Sequence, residues 1–493
     1  MPHDKQKNVS HFLLYLLPFL LSAAHTPIHA DLTTNAKNDP IPMFSTLNID
    51  DRLLLTREQL LYKFDALNGW AYEWADKKCD RVNISISPFA QNADRGKTIK
   101  GSVPCAPIPP CPEINDVALS DLTGRTSMIA ILYGETPPGA IPFSTPCEEG
   151  EPCSVLQQAS AALFPEGNGL NNEANIDPAQ ELGFFTFREK YRKRGLRIEA
   201  SGNIGGGFLI QAQAGFANIR QVNEQTFNYT SDNNKFDPVT PTVTPTRVNT
   251  FLMEQLNAIM EELDIDFCDF IETSLEDIRF NLYWRQFFPV NEDAESSWAR
   301  FLAIPYFELS GAFSPVKTFN RQFFAAPFGS NKHSSVGLTA GINLDFIETI
   351  EIGGEIGWTH FFKRKYCDYP VPTSEFQQNI YPYSTEVSIQ PGDNWYFCAR
   401  LAAFHFLDRL SMHFEWYVLD HQKDHIDILE EDEGAFLPEV LECRSTFKVK
   451  LGNIGLNYDF SPNFNVGLLW QIPFSQRNAY RSSTIMAGLN ITF

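Results

Sequence analysis

The last fourteen residues, YRSSTIMAGLNITF (Tyr480–Phe493), restrict the fold more than any other stretch. Ile485, Ala487, Leu489, Ile491 and Phe493 fall on one side, and Thr484, Met486, Gly488, Asn490 and Thr492 on the other. A period of two marks a strand with one apolar face, because successive side chains of a strand point to opposite sides. One such strand suits a soluble sheet as well as a membrane barrel, so the remaining sequence must decide.

The alternation recurs along the chain. RVNISISPF sets Val82, Ile84 and Ile86 on one side, and GLRIEASGNI opposes Leu196, Ile198 and Ala200 to Arg197, Glu199 and Ser201. FLIQAQAGFANI follows the glycines at 205–207 and carries Gln211 and Gln213 on its polar side. IRFNLYWRQF opposes Ile278, Phe280, Leu282 and Trp284 to Arg279, Asn281 and Arg285. In VGLTAGINLDF the polar side ends at Asp345, and in IEIGGEIGWTHF it carries Glu351 and Glu355. NWYFCARLAAF presents Cys398 and Arg400, and LSMHFEWYV presents His413 and Glu415. TFKVKLG sets Phe447, Val449 and Leu451 against Lys448 and Lys450, after which the phase is expected to slip near Asn453, as a bulge would cause. NFNVGLLWQI completes the series, while Pro305 interrupts the phase of WARFLAIPYFELSGAF.

Short and long connections alternate between these segments. The turns in NLDFIETIEI, FLDRL and DFSPN are tight, whereas residues 93–183, 222–277, 315–333, 365–392 and 423–443 are long and polar. Antiparallel strands with tight turns at one end and long loops at the other describe a transmembrane barrel, and about twelve strands satisfy the even-number rule. The expected fold is therefore all-β: a closed antiparallel transmembrane β-barrel spanning residues 80–493, with long extracellular loops.

Composition agrees. Forty-one phenylalanines and 20% charged residues, at a mean hydropathy of -0.23, fit a chain that is greasy outside and polar inside. The net charge of -21 excludes a nucleic-acid partner, since phosphate binding needs a dense basic surface. Lys5 and Lys7 precede the apolar run FLLYLLPFLLSAA and then small residues up to Ala30, the order of a secretory signal peptide over residues 1–30. Residues 31–79 read as a periplasmic leader. Thr56 and Gln59 form a capping-box pattern opening a short helix that could dock on the barrel, plug it or lie on its rim.

With those features in place, the ending resembles the terminal signal of Gram-negative bacterial outer-membrane β-barrels, a porin-like class whose assembly machinery reads a last strand finishing in Phe. The resemblance maps onto Ile485, Leu489, Ile491 and Phe493, covers the class rather than a subfamily, and implies the bacterial cell outer membrane. Outer-membrane lipid, lipopolysaccharide, the barrel assembly machinery and a homo-oligomer are the partners it implies.

The polar faces predict a mixed-sign lumen. Arg197, Arg279, Arg285, Arg400, Lys448 and Lys450 oppose Glu199, Asp345, Glu351, Glu355 and Glu415. Such walls resemble the charge rings of general porins. The plainer reading is that these groups pair across neighbouring strands and fill a narrow barrel. The expected work is passive diffusion of small polar solutes through that lumen. The alternative is a surface-exposed structural or adhesin barrel with disulfide-braced loops.

CAPIPPC (Cys105, Cys111) and CEEGEPC (Cys147, Cys153) share one spacing within the first long loop. Disulfides suit them better than zinc, which prefers tighter pairs with histidine nearby. Cysteine-linked surface barrels such as the chlamydial major outer-membrane protein are similar in style. DHQKDHIDILEEDE gathers carboxylates and two histidines and reads as a solvated acidic loop rather than a cation site. FLMEQLNAIMEELDIDF reads as an amphipathic helix at the pore mouth or on the rim. His333, Ser334 and Ser335 are adjacent, so on a strand they face opposite ways and cannot form a nucleophile–base pair. No enzyme activity, cofactor or metal is expected.

Overall fold

The computed structural model describes residues 82–98, short pieces between 117 and 140, and residues 153–163, 184–228, 254–265, 268–290, 301–315, 328–346 and 350–493, the last with gaps of one to three residues. The signal peptide and the leader helix lie outside the described residues.

Twelve strands form the wall: β1 (Val82–Thr98), β2 (Phe184–Gly205), β3 (Phe208–Asn228), β4 (Ile278–Arg285), β5 (Phe301–Phe313), β6 (Ser335–Phe346), β7 (Ile350–Phe361), β8 (Asn394–Leu407), β9 (Leu410–His421), β10 (Phe447–Ser461), β11 (Phe464–Arg477) and β12 (Ala479–Thr492). Each pairs antiparallel with its sequence neighbour, and β12 pairs with β1 from Asn83↔Thr492 to Lys97↔Ala479, so the sheet has no free edge. The Phe493 N–H donates to the Val82 carbonyl at 2.9 Å, which carries the closing seam to the last residue. Closure matters because hydrocarbon offers no partner to an unpaired strand edge.

All twelve strands present large exposed apolar side chains outward, among them Ile84, Ile198, Phe216, Phe280, Leu309, Leu338, Ile356, Phe397, Trp416, Leu456, Leu468 and Leu489. Buried polar groups alternate with them. Aromatic pairs mark both rims: Tyr458–Phe460 at 5.0 Å and Phe301–Phe346 at 5.3 Å at the turn end, Trp358–Trp395 at 6.4 Å at the loop end. No helix among the described residues is long and apolar enough to cross a membrane. The chain is a closed, twelve-stranded antiparallel barrel with an apolar outer face, the architecture of a barrel that spans a membrane. Placing a charge on the lipid face should therefore be costly. Leu489→Arg is expected to destabilise the barrel folded in lipid vesicles by up to about 2–4 kcal/mol. An unchanged urea midpoint would show that this face does not meet lipid.

Three details depart from the sequence expectation. Strands β2 and β3 run 22 and 21 residues and rise well above the apolar belt, and β1 extends to Thr98, so the long loops start later than the alternation indicated. Hydrated strand ends need no apolar side, hence leave no period to read. Pro305 lies inside a continuous β5, where β4 ends: its carbonyl accepts from the Gln286 N–H at 3.2 Å. Within the first long loop, Arg125–Ser127 pairs antiparallel with the upper end of β2. At the tight turns, Gly206 and Gly207 take φ of +64° and +85° between β2 and β3, and a Cβ on Gly207 would sit 2.2 Å from the Arg285 carbonyl oxygen.

The long loops are not simply polar linkers. Arg364–Pro370, Ser384–Gln390 and His425–Ile428 form a separate three-stranded sheet. Its core comprises Tyr366, Val371, Tyr381, Val387, Ile389, Ile426, Phe436 and Leu441. Helix α1 (Val155–Leu163) is bonded to α2 (Leu256–Glu262): the Glu262 carboxylate accepts the Val155 and Leu156 N–H groups at 2.6 and 3.2 Å. The loop between β5 and β6 reaches back to the wall, where the Ser330 N–H and hydroxyl donate to Asp277 Oδ2 at 3.0 and 2.8 Å.

Candidate functional site

The inner face of the barrel is the concave polar surface that a solute would meet. Alternation puts Arg197, Glu199, Arg279, Arg285, Asp345, Glu351, Glu355, Arg400 and Glu415 on that face. Lys448 and Lys450 are a correction: both point outward. The inward phase of β10 runs without a slip through Phe447, Val449, Leu451, Asn453, Gly455 and Asn457. The bulge belongs instead to β11, where Lys450 opposes Ser475 and Leu451 opposes Pro473, leaving Phe474 extra. What misled the reading is an apolar cluster inside the barrel, in which Phe447, Val449 and Leu451 pack on Tyr396, Cys398, Tyr417 and Leu419. Lys448 pairs with Asp420 at 2.8 Å on the outer surface.

The charges concentrate on one side. Strands β10, β11, β12 and β1 line their inner faces with uncharged groups, including Asn83, Ser85, Gln91, Asn453, Gln471, Thr484 and Asn490. Strands β2 to β9 carry the ions, in two clusters. In the first, Arg197 grips Glu276 with two hydrogen bonds, Nε to Oε2 at 2.6 Å and Nη2 to Oε1 at 2.8 Å. Lys193 Nζ lies 2.8 Å from the same carboxylate, and the Arg197 guanidinium sits 4.2 Å from the Phe89 ring centroid. Only a residue without a side chain fits beneath, since a Cβ on Gly215 would stand 2.6 Å from Glu276 Oε2.

In the second cluster, Arg400 Nε donates to Glu415 Oε1 at 3.1 Å and its Nη2 lies 3.9 Å from Glu355 Oε2. The Tyr306 hydroxyl donates to Glu355 Oε2 and the Tyr417 hydroxyl to Glu355 Oε1 at 3.3 Å, while Asn453 Nδ2 donates to Glu415 Oε2 at 3.0 Å. Asp345 stands directly opposite Glu351 across β6 and β7, a like-charge pairing. Arg285, stacked 5.2 Å over Phe287, supplies the other nearby positive charge. Four carboxylates thus share two guanidiniums. A cavity of about 40 Å³ opens above this cluster, lined by Arg279, Asn281, Glu308, Thr339, Tyr396 and Tyr417 among others.

Sequence reading missed Glu276 and Lys193. Glu276 sits at the kink between the strand Phe270–Leu275 and β4, out of phase with the inward residues of β4, and Lys193 belongs to the charge run KYRKR, which shows no alternation. Tyr306, Tyr396 and Tyr417 were masked as generic aromatics.

Among the expected cysteines, Cys105, Cys111 and Cys147 lie outside the described residues, and Cys153 is disulfide-bonded, as is Cys443 within α3 (Pro438–Ser445). Cys268, Cys367 and Cys398 are thiols. The acidic loop folds into a clasp. Glu442 holds the Ile426 N–H at 2.8 Å, His425 Nδ1 at 3.0 Å and Lys423 Nζ at 2.7 Å. His421 bridges Asn394 and Asp424 at 2.6 and 2.9 Å. The Lys363 ammonium, hydrogen-bonded to Asp427, holds that carboxyl below its ordinary range. No group of three or more metal-ligating side chains forms among the described residues. His333 is buried in the loop before β6, bonded to the Phe362 carbonyl at 2.9 Å and the Tyr366 hydroxyl at 2.8 Å.

The sequence matches no known protein family and no curated protein. Among solved structures, an outer-membrane channel from Pseudomonas putida F1 aligns with a TM-score of 0.42 and 9% identity, over 85% of this chain and 97% of the other. The translocator domain of the autotransporter NalP from Neisseria meningitidis gives 0.32 and 7%, over 91% and 99%. The NanC porin gives 0.28 and 7%, over 61% and 93%. Likenesses this distant carry no argument about function, which has to come from the residues of this lumen.

Proposed function

We propose that the barrel is a narrow outer-membrane channel for small polar solutes, with a preference for neutral and cationic ones. The observation that carries the reading is the uncharged half of the inner wall. Both amide atoms of Gln471, Asn453 Oδ1, Thr484 Oγ1, Ser482 Oγ and Asn490 Oδ1 belong to inward-facing side chains and have no hydrogen-bond partner among the described residues. Each buried polar atom left unbonded costs about 1–3 kcal/mol, so a wall of them is stable only when polar molecules occupy the lumen. Opposite that wall, the carboxylate excess around Glu351 supports the cation preference.

A second reading rests on a different observation. The inner side chains are almost all buried, and the loops carry a folded sheet with its own core. Both features suit a closed barrel that displays a surface cap. Conductance in a planar bilayer separates the two. Stable steps with cation-selective reversal potentials are expected, and a folded, heat-modifiable but silent barrel would give precedence to the surface role.

A further inference from the structure

Above the apolar belt, one third of the outer wall, from β12 through β1 to β3, collects four exposed arginines. On β2, Arg192 and Arg194 are exposed and follow the outward phase of Ile198 toward the loop end. On β3, Arg220 does the same above Phe216. Arg192 stands directly opposite Arg220, and Arg194 opposite Asn218. On the other flank Arg192 opposes the exposed Asn92 of β1, which in turn opposes Ser483 of β12. Two positions above Ser483, Arg481 points outward as well.

None of the four arginines makes an ion pair or hydrogen bond with its side chain among the described residues. Facing like charges across a strand pair is destabilising. Among the described residues no carboxylate stands directly opposite any of the four in the strand register. The exposed Glu272 opposes Ile219, whose side chain is turned into the barrel. Position supplies the remaining argument. Guanidiniums buried in hydrocarbon are expensive, but immediately above the belt they lie where lipid headgroups lie. The forked guanidinium matches phosphate oxygens two at a time.

We propose that Arg192, Arg194 and Arg220 form a binding site for a phosphate-bearing lipid of the outer leaflet. Its phosphate is held by the guanidiniums, with Arg481 contributing from beyond β1. Its acyl chains lie on Ile198, Ile210 and Phe216 below. The site lies on the lipid side of the wall and is independent of whether the lumen conducts.

The test uses the full barrel in neutral detergent and measures binding of bis-phosphorylated lipid A by native mass spectrometry. Arg192→Gln/Arg194→Gln/Arg220→Gln is expected to weaken binding by about tenfold or more, the loss of a single charge-assisted hydrogen bond being enough for that. The corresponding triple lysine variant, which keeps the charge but loses the bidentate fork, should bind between the unaltered barrel and the glutamine variant, and both variants must show heat-modifiable mobility to count as folded. Lipid A stripped of its phosphates should bind the unaltered barrel more weakly by a similar factor. Equal binding by the glutamine variant, or by the dephosphorylated lipid, would overturn the site in favour of the apolar belt alone. Displacement of the lipid by low-millimolar inorganic phosphate would overturn the lipid source and leave a simple anion site.

Discussion

Replacing Glu276 with alanine is expected to destabilise the barrel by about 3–5 kcal/mol, the usual cost of removing one partner from a buried ion cluster. The carboxylate is 1% exposed and is shared by Arg197 and Lys193, themselves 1% and 0% exposed. Its loss leaves two buried cations facing each other across the site it occupied. The backbone there is held independently of the side chain: the Glu276 N–H donates to the Gly215 carbonyl at 2.8 Å and Asp277, next in sequence, anchors Ser330. The kink that presents the carboxylate therefore also ties the loop between β5 and β6 to the wall. Urea titrations of folding into lipid vesicles measure the effect. Glu276→Gln should fall between the two, since it keeps an acceptor but not the charge. A loss below about 1 kcal/mol for alanine would mean that the cluster is hydrated and screened rather than desolvated.

Glu355→Lys should shift the ion preference of the conducting barrel toward anions by about tenfold or more in permeability ratio. Glu355 sits between Arg400 and the Tyr306 and Tyr417 hydroxyls, within the second cluster of charged side chains. The substitution changes the local charge by two units and turns two hydroxyl donors toward an ammonium. Even at an effective dielectric constant near 20, a unit charge at 4 Å is worth about 4 kcal/mol, well above the roughly 1.4 kcal/mol that makes a tenfold ratio. Reversal potentials across a salt gradient give the answer directly. Arg279→Glu, beside the cavity above, is expected to shift selectivity the opposite way by a smaller amount, since Arg279 is only half-buried. A selectivity insensitive to Glu355 would move the conduction route away from this cluster.

The sequence by itself determined the architecture. Ile485, Leu489 and Ile491 on β12, Val336 to Phe346 on β6 and Glu351 and Glu355 on β7 all took the faces that their alternation assigned, because a membrane barrel sorts side chains by parity: one side meets lipid, the other does not. The count of twelve strands followed from the same rule together with the spacing of turns.

Parity gives a side but not a sign, and only the tertiary structure could decide which side was inner where both were ambiguous. Phe447, Val449 and Leu451 look like a lipid face, yet they turn inward because Tyr396, Tyr417 and Leu419 meet them there, which drives Lys448 and Lys450 outside. Nor does local pattern report residues brought together over long separations. Glu276 reaches Arg197 across 79 positions, and Glu355 joins Tyr306 and Tyr417 from 49 and 62 positions away. Likewise Arg192 and Arg220 become neighbours only when β2 pairs with β3. Such encounters are set by register and closure, whose energies are summed over the whole wall, so no window of the sequence contains them.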